Sequence, residues 1–209
     1  MNAKVKVCGL RRIEDTEYAN KVKPDFIGFV FAESKRQITE QQVLMLARNL
    51  DDSIKKVGVF VDQPEDMIVR LLEDKVIDLV QLHGKEDNDY IHRLCDMANI
   101  KKDCIIKAVR VKSAEDIKLA ESYDCGYLLL DAYSDKAAGG SGETFDWTMI
   151  KNVTKPFFLA GGISAENVET AIKCVHPFAV DASSSMETNG FKDYDKMAQF
   201  VRKVRACGI

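Results

Sequence analysis

At 209 residues the chain is long enough for one large α/β unit, and 46% apolar against 30% charged residues is the composition of a globular protein, not a disordered one. Its 30 basic and 33 acidic side chains give a net charge of -3 without long blocks of one sign, which argues against a general nucleic-acid binder. The longest apolar runs, such as FIGFVFA at 26–32, fall far short of a membrane span and no basic leader precedes them, so a cytoplasmic protein with neither membrane nor nucleic acid as partner is expected.

In chain order, short runs rich in β-branched and aromatic residues predict strands at 5–8, 26–31, 56–61, 79–83, 104–109, 127–131, 157–160 and 178–181. Most are continuous apolar runs, as strands covered on both faces should be. Between them lie helix signals. Thr39 with Gln42 three positions later forms a capping box ahead of Val43, Leu46, Ala47 and Leu50 on one face. Pro64 precedes Met67, Ile68, Leu71 and Leu72. Ser113 and Ser164 each predict an N-cap followed by first-turn acids. Met197, Phe200, Val201 and Val204 mark a final helix over 194–205.

Eight such units, about 25 residues apart and with no linker between them, predict a single-domain (β/α)8 TIM barrel spanning residues 1–209. An open doubly wound sheet is the alternative, but CGLRRIE after the first strand lacks the Gly-x-Gly-x-x-Gly turn. The six cysteines, Cys8, Cys95, Cys104, Cys125, Cys174 and Cys207, contain no Cys-x-x-Cys pair and no histidine at zinc spacing. Most are expected to be small buried hydrophobes, with no metal site.

Barrels of this type build their chemistry at the C-terminal ends of the strands. After the seventh strand come Gly161 and Gly162, and after the eighth Ser183 and Ser184 in DASSSMETNG, where a short extra helix would offer its amides to an anion; together they predict a phosphate cradle. The glycine-rich stretch AYSDKAAGGSGETFDW after the sixth strand predicts a lid. It follows Asp131, a carboxylate at the end of an apolar run that reads either as a general acid or as a cap. Cys8, at the end of the first strand, reads as buried filler or, facing Asp131 across the mouth, as a proton acceptor. Arg36 offers a planar fork for a carboxylate, and its alternative is a solvated surface. His83 stands alone at the fourth strand's end, where a hydrogen-bonded structural role competes with substrate contact. Asp62 and Asp181 read as caps or loop anchors.

The motifs KVCGLRRIED, GFVFAESKRQI, VQLHGKED, LLLDAYS, GGSGETFDW, AGGI and VDASSSMETNGFKD, taken in order over nearly the whole chain, resemble the phosphoribosylanthranilate isomerase family of tryptophan biosynthesis. That resemblance implies an Amadori rearrangement of N-(5-phosphoribosyl)anthranilate to 1-(o-carboxyphenylamino)-1-deoxyribulose 5-phosphate, without cofactor or metal. It implies Cys8 as general base, Asp131 as general acid, Arg36 on the anthranilate carboxylate, and a phosphate held by the Gly161, Gly162, Ser183 and Ser184 loops. The sequence departs from the family pattern at Lys35 and Ser185, which stand where proline and glycine are usual. Rival readings are a metal-dependent pentose-phosphate epimerase, which needs more strand-end ligands than His83, and an indole-glycerol-phosphate synthase, which needs a strand-end lysine and glutamate. A non-catalytic phosphate-binding module is a third, and needs neither Cys8 nor Asp131. A monomer is the default assembly and a homodimer the alternative.

Overall fold

The computed structural model describes residues 2–131 and 147–208. Eight parallel strands follow one another around a closed barrel: β1 (Lys4–Cys8), β2 (Phe26–Val30), β3 (Lys55–Phe60), β4 (Leu79–Leu82), β5 (Ile105–Arg110), β6 (Tyr127–Asp131), β7 (Phe157–Ala160) and β8 (Ala179–Ala182), with β8 paired back onto β1. Outside them lie α1 (Ile13–Val22), α2 (Glu40–Arg48), α3 (Glu65–Glu73), α4 (Asn88–Ala98), α5 (Ala114–Ser122), α6 (Val168–Val175) and α7 (Tyr194–Ala206). This is the (β/α)8 architecture that the strand spacing predicts. Seven α-helices occur among the described residues, where the connection from β6 to β7 contributes a 3-10 turn at Trp147–Met149. The expected lid falls almost wholly on 132–146, outside the described residues.

The period of two along each strand sorts the two cores. Val5, Val7, Ile27, Phe29, Val80, Leu82 and Leu128 point outward and pack with the helices, while Phe26, Val57, Leu79, Ile106, Leu129 and Phe158 point into the barrel. Each such fully buried side chain stabilises the fold by about 1.5–3 kcal/mol. Aromatic rings plug the N-terminal end of the barrel: Phe26 meets Phe158 edge-on at 5.2 Å and Tyr127 meets Phe178 at 5.0 Å, with the Lys4 ammonium 5.1 Å above the Phe178 ring. With that end filled, the barrel opens to a ligand-sized cavity at its C-terminal rim.

The local signals explain most element starts. Thr39 and Gln42 form the expected reciprocal capping box of α2, at 3.2 and 2.8 Å, and Ser113 caps α5 in a box with Asp116. Helix α6 is a correction: its N-cap is Asn167, not Ser164, because Ser164 opens a preceding turn whose carbonyl accepts the N–H of Val168 at 3.0 Å. Similarly β5 starts one residue later than predicted, since Lys102–Cys104 forms a 3-10 turn, and β8 is shifted by one residue. The cysteines are a second correction. Only Cys125 and Cys207 are buried; Cys8, Cys95 and Cys104 are partly exposed and Cys174 is exposed. No helix among the described residues is long and apolar enough to cross a membrane.

One buried ion pair braces the rim from outside the barrel. Lys107 on the outer face of β5 donates to Glu86 Oε2 at 2.7 Å and to the Gly84 carbonyl at 2.8 Å, and Glu86 in turn accepts the backbone N–H groups of Asp62 and Gly84. Asp62, with a left-handed φ of 48°, accepts the N–H of Lys85, so it is the loop anchor the sequence suggested.

Candidate active site

A cavity of about 840 Å³ opens at the C-terminal ends of the strands. Strand parity decides which side chains reach it. Cys8 ends the inward face of β1, His83 continues that of β4, Asp131 ends that of β6 and Ser183 continues that of β8, and all four line the same space together with Arg36, Gly161, Gly162 and Ser184. Every candidate site residue named from the sequence is therefore brought together. Strand β6 lies three places from β1 around the ring, by way of β8 and β7, so Cys8 and Asp131 face each other obliquely across the mouth.

Two glycines make room for this arrangement. Gly28 lies opposite Cys8 in the β1–β2 register, and a Cβ there would stand 2.7 Å from the Cys8 sulfur. Gly9 has φ 89°, which a side chain resists, and a Cβ there would stand 2.4 Å from Cδ of Arg36. The sulfur thus occupies the gap over Gly28, and the arginine stem lies along Gly9.

Below Cys8 on the same inward face is Lys6, fully buried, with its Nζ 2.9 Å from Oδ2 of Asp181 on β8. Asp181 is a correction to the sequence reading: it is no cap but a buried wall of the cavity, and its Oδ1 has no hydrogen-bond partner among the described residues. Burial pushes the Cys8 thiol above its ordinary value, while Lys6 and Lys192 pull the other way. Burial also opposes the charge on Lys6, but Asp181 and Cys8 outweigh it and the ammonium holds its proton more tightly than usual. Beside them, Gln81 Nε2 and His83 Nδ1 are 2.9 Å apart. The enclosing walls desolvate His83 and push its imidazole below the usual value, which leaves it neutral near pH 7.

Arg36 does not stand alone at the rim. Its Nε and Nη2 donate to Oε1 and Oε2 of Glu187 at 2.6 and 2.9 Å, a bidentate fork. Burial would lift the Glu187 carboxyl, yet Arg36 and Lys192 hold it below the usual carboxylate range. Lys192, itself buried, donates to Glu187 Oε1 at 2.9 Å and to the Ser183 carbonyl at 3.0 Å. Glu187 and Lys192 belong to β9 (Glu187–Thr188) and β10 (Phe191–Lys192), an antiparallel hairpin inserted between β8 and α7.

The two glycine- and serine-bearing loops lie side by side. Gly161 and Gly162 have φ of 86° and 68°, and a Cβ on Gly162 would meet open space, so backbone conformation alone selects glycine there. Asn167 holds the turn, accepting the Ser164 N–H and donating to the Gly162 carbonyl, both at 2.9 Å. The predicted short helix is a single 3-10 turn at Ser184–Met186. Ser183 donates to the Cys8 carbonyl at 2.8 Å, and Ser185 donates to the Ile163 carbonyl at 2.7 Å. Ser185 is absent from the left-handed backbone positions, so the turn has no need of glycine there, and its hydroxyl ties the loop after β8 to the loop after β7.

Residues 5–203 match the family model described as N-(5'phosphoribosyl)anthranilate (PRA) isomerase. The chain belongs to the N-(5'-phosphoribosyl)anthranilate isomerase family. It is 45% identical over 204 residues to the N-(5'-phosphoribosyl)anthranilate isomerase of Caldanaerobacter subterraneus subsp. tengcongensis, covering 97% of this chain and 98% of the relative. The crystal structure of phosphoribosyl anthranilate isomerase from Thermotoga maritima superposes with a TM-score of 0.87 at 34% identity, covering 98% of this chain and 99% of that one. A second phosphoribosyl anthranilate isomerase structure, in complex with reduced 1-(o-carboxyphenylamino)-1-deoxyribulose 5-phosphate, matches with a TM-score of 0.84 at 32% identity, over 98% and 99% of the two chains.

Of the residues in and around this cavity, the sequence reading missed Lys6, Gln81, Glu187 and Lys192. The signal for Lys6 was available, because in KVKVC the lysines and the cysteine fall on one face at period two, and a lysine mid-strand on the face of a candidate base is out of place as packing. Glu187 and Lys192 carry no such local mark.

Proposed function

We propose that this chain catalyses the Amadori rearrangement of N-(5'-phosphoribosyl)anthranilate to 1-(o-carboxyphenylamino)-1-deoxyribulose 5-phosphate, an aldose-to-ketose isomerisation in tryptophan biosynthesis. The observation that carries the reading is the convergence of Cys8 and Asp131, from strands three places apart, on one cavity beside the paired loops at Gly161–Gly162 and Ser183–Ser184.

Asp131 acts as general acid on the furanose ring oxygen; the ring C–O bond opens and the anilino nitrogen's electron pair completes a C=N bond at C1. Cys8 then removes the C2 proton as general base, and the electrons of that C–H bond move to give the enolamine, which tautomerises to the 2-ketone with reprotonation at C1. The sugar phosphate is held by backbone N–H groups of the two loops, whose open approach at Gly162 supports close contact. Arg36 meets the anthranilate carboxylate from its place along Gly9, with Glu187 fixing the guanidinium plane. His83, neutral and walled by Gln81, contacts the substrate from the β4 side. Each proton-transfer group contributes about 10²-fold or more to the rate.

The test is turnover of the fluorescent anthranilate adduct in a coupled assay. Cys8→Ala and Asp131→Asn should each lose about 10²-fold or more in kcat with unchanged circular dichroism. Turnover near that of the native enzyme in either variant removes that residue from its role. The working assembly is a monomer: among the described residues the exposed large apolar side chains, such as Met45, Met97 and Leu119, are spread over α2, α4 and α5. Light scattering that returns twice the chain mass would replace it with a homodimer.

A further inference from the structure

The cavity leaves one strong feature without a task, the buried pair beneath the base. Lys6 and Cys8 are two residues apart on one strand, so both side chains project to the same inward side with Cα atoms about 7 Å apart. Lys6 is fully buried and its Nζ is 2.9 Å from Asp181 Oδ2, in a register that places Lys6 directly opposite Asp181. The sulfur is confined from the other side, since the backbone of Gly28 passes so close that even a Cβ there would overlap it. A lysine in a barrel interior is expensive to desolvate, and an apolar residue of similar volume would fill the space at no such cost. Asp181 Oδ1 is buried and unpartnered among the described residues, so the pair is not even optimised as an ion pair. Stability therefore does not explain it.

We propose that Lys6 is the positioning residue of the base: its ammonium, fixed by Asp181 beneath the sulfur, favours the thiolate of Cys8 and so sets the pH range in which Cys8 accepts the substrate's proton. The inference rests on the reading of Cys8 as general base. Lys6 and Asp181 act on the sulfur with opposite signs, the ammonium stabilising negative sulfur and the carboxylate opposing it. Burial is the larger influence and favours the thiol, the ammonium counters it, and Asp181 both fixes the ammonium and partly offsets its pull. Among the described residues the other titratable groups facing the cavity are Lys192 on β10 and Arg36 on the loop after β2, both cationic, with Glu33, Arg110, Asp131 and the neutral His83 further around its wall. Lys192 and Arg36 each pair with Glu187 at the rim, whereas Lys6 pairs with Asp181 directly across the β1–β8 ladder that carries Cys8.

Alkylation of Cys8 by iodoacetamide, followed at the Cys8 peptide by mass spectrometry from neutral to alkaline pH, reads the thiolate directly. Lys6→Met should move the alkylation profile to higher pH and slow the reaction at neutral pH by about tenfold or more, while Asp181→Asn should move it to lower pH and speed the reaction. The double variant K6M/D181N, which leaves no unpaired buried charge, should fall between Lys6→Met and the native enzyme. The rising limb of kcat/KM should shift in the same direction in each variant, which a purely structural role would not produce. If Lys6→Met does not fold, the double variant and Asp181→Asn decide. Folded variants with the native alkylation profile, or two single variants that shift it in the same direction, overturn the proposal. Turnover that survives in Cys8→Ala would instead overturn the general-base reading, while alkylation of the native and Lys6 variants would still measure the coupling.

Discussion

Replacing Gly28 with alanine tests whether the sulfur position matters to the chemistry. The added Cβ would stand 2.7 Å from the Cys8 sulfur and 3.2 Å from its Cα, and β1 cannot slide away because Cys8 and Gly28 are fixed opposite each other in the ladder. Non-bonded heavy atoms need about 3.5 Å, so the sulfur must move by about 0.8 Å or the strands must part. Crowding of this kind costs about 1–3 kcal/mol in stability. A displacement near 1 Å from the attack position costs about 10²-fold in rate. A matched control lies on the other face of the sheet: a Cβ on Gly58 would meet the Phe60 ring at 2.6 Å and Ile77 at 2.9 Å, all outside the barrel. Gly28→Ala and Gly58→Ala should therefore lower the melting temperature alike, by about 2–4 °C per kcal/mol lost. Only Gly28→Ala should lose kcat in the coupled fluorescence assay. Native-like kcat in Gly28→Ala, or equal kcat losses in both variants, would refute the argument that a confined Cys8 sulfur performs the proton transfer.

Glu187→Gln weakens the fork that orients Arg36, and KM should rise several-fold, the scale of one charge-assisted hydrogen bond of about 1.5–3 kcal/mol only partly lost, with kcat little changed. A fall in KM would mean that Glu187 acts by neutralising the site's positive charge and not by orientation. Lys107→Met removes the partner of a carboxylate that is 1% exposed, and urea unfolding should show a loss of about 3–5 kcal/mol with KM unchanged; a loss below the error of the extrapolation would deny the brace its role. His83 gives a pH signature. Burial lowers its folded value below the ordinary imidazole range, so between the two values the unfolded chain binds a proton that the folded chain does not. Stability should then fall as pH drops below about 6.5, and His83→Gln should flatten that part of the melting-temperature profile. A profile unchanged in His83→Gln would assign the acid loss to carboxylates.

The barrel was legible because its strands are covered on both faces and read as unbroken apolar runs, and because caps such as Thr39 with Gln42 announce themselves within four residues. The same local logic failed at Ser164, where a serine with acids after it opens a turn held by Asn167 in service of the Gly161–Gly162 loop. Strand ends exposed Cys8, Asp131, His83 and the loops at Gly161–Gly162 and Ser183–Ser184 as cavity lining, since position along a barrel strand is itself a statement about depth. What the sequence hid is pairing at long range. Lys6 with Asp181 spans 175 residues and Arg36 with Glu187 spans 151, so Asp181 reads as a cap and Arg36 as a free fork until closure of the barrel brings their partners to them.

The bonds from the β1 end through the hairpin have a consequence for how such a site can change. Ser183 touches the Cys8 carbonyl, Lys192 ties Ser183 to Glu187, Glu187 grips Arg36, and Arg36 rests on Gly9 next to Cys8, which closes a ring of contacts. The ring behaves as a caliper of fixed span, with one jaw at the Ser183 loop and the other at the guanidinium. Adapting it to a shorter or longer metabolite requires compensating replacements at both jaws, so variants selected for new specificity should arise in pairs from the loop after β8 and from the loop after β2.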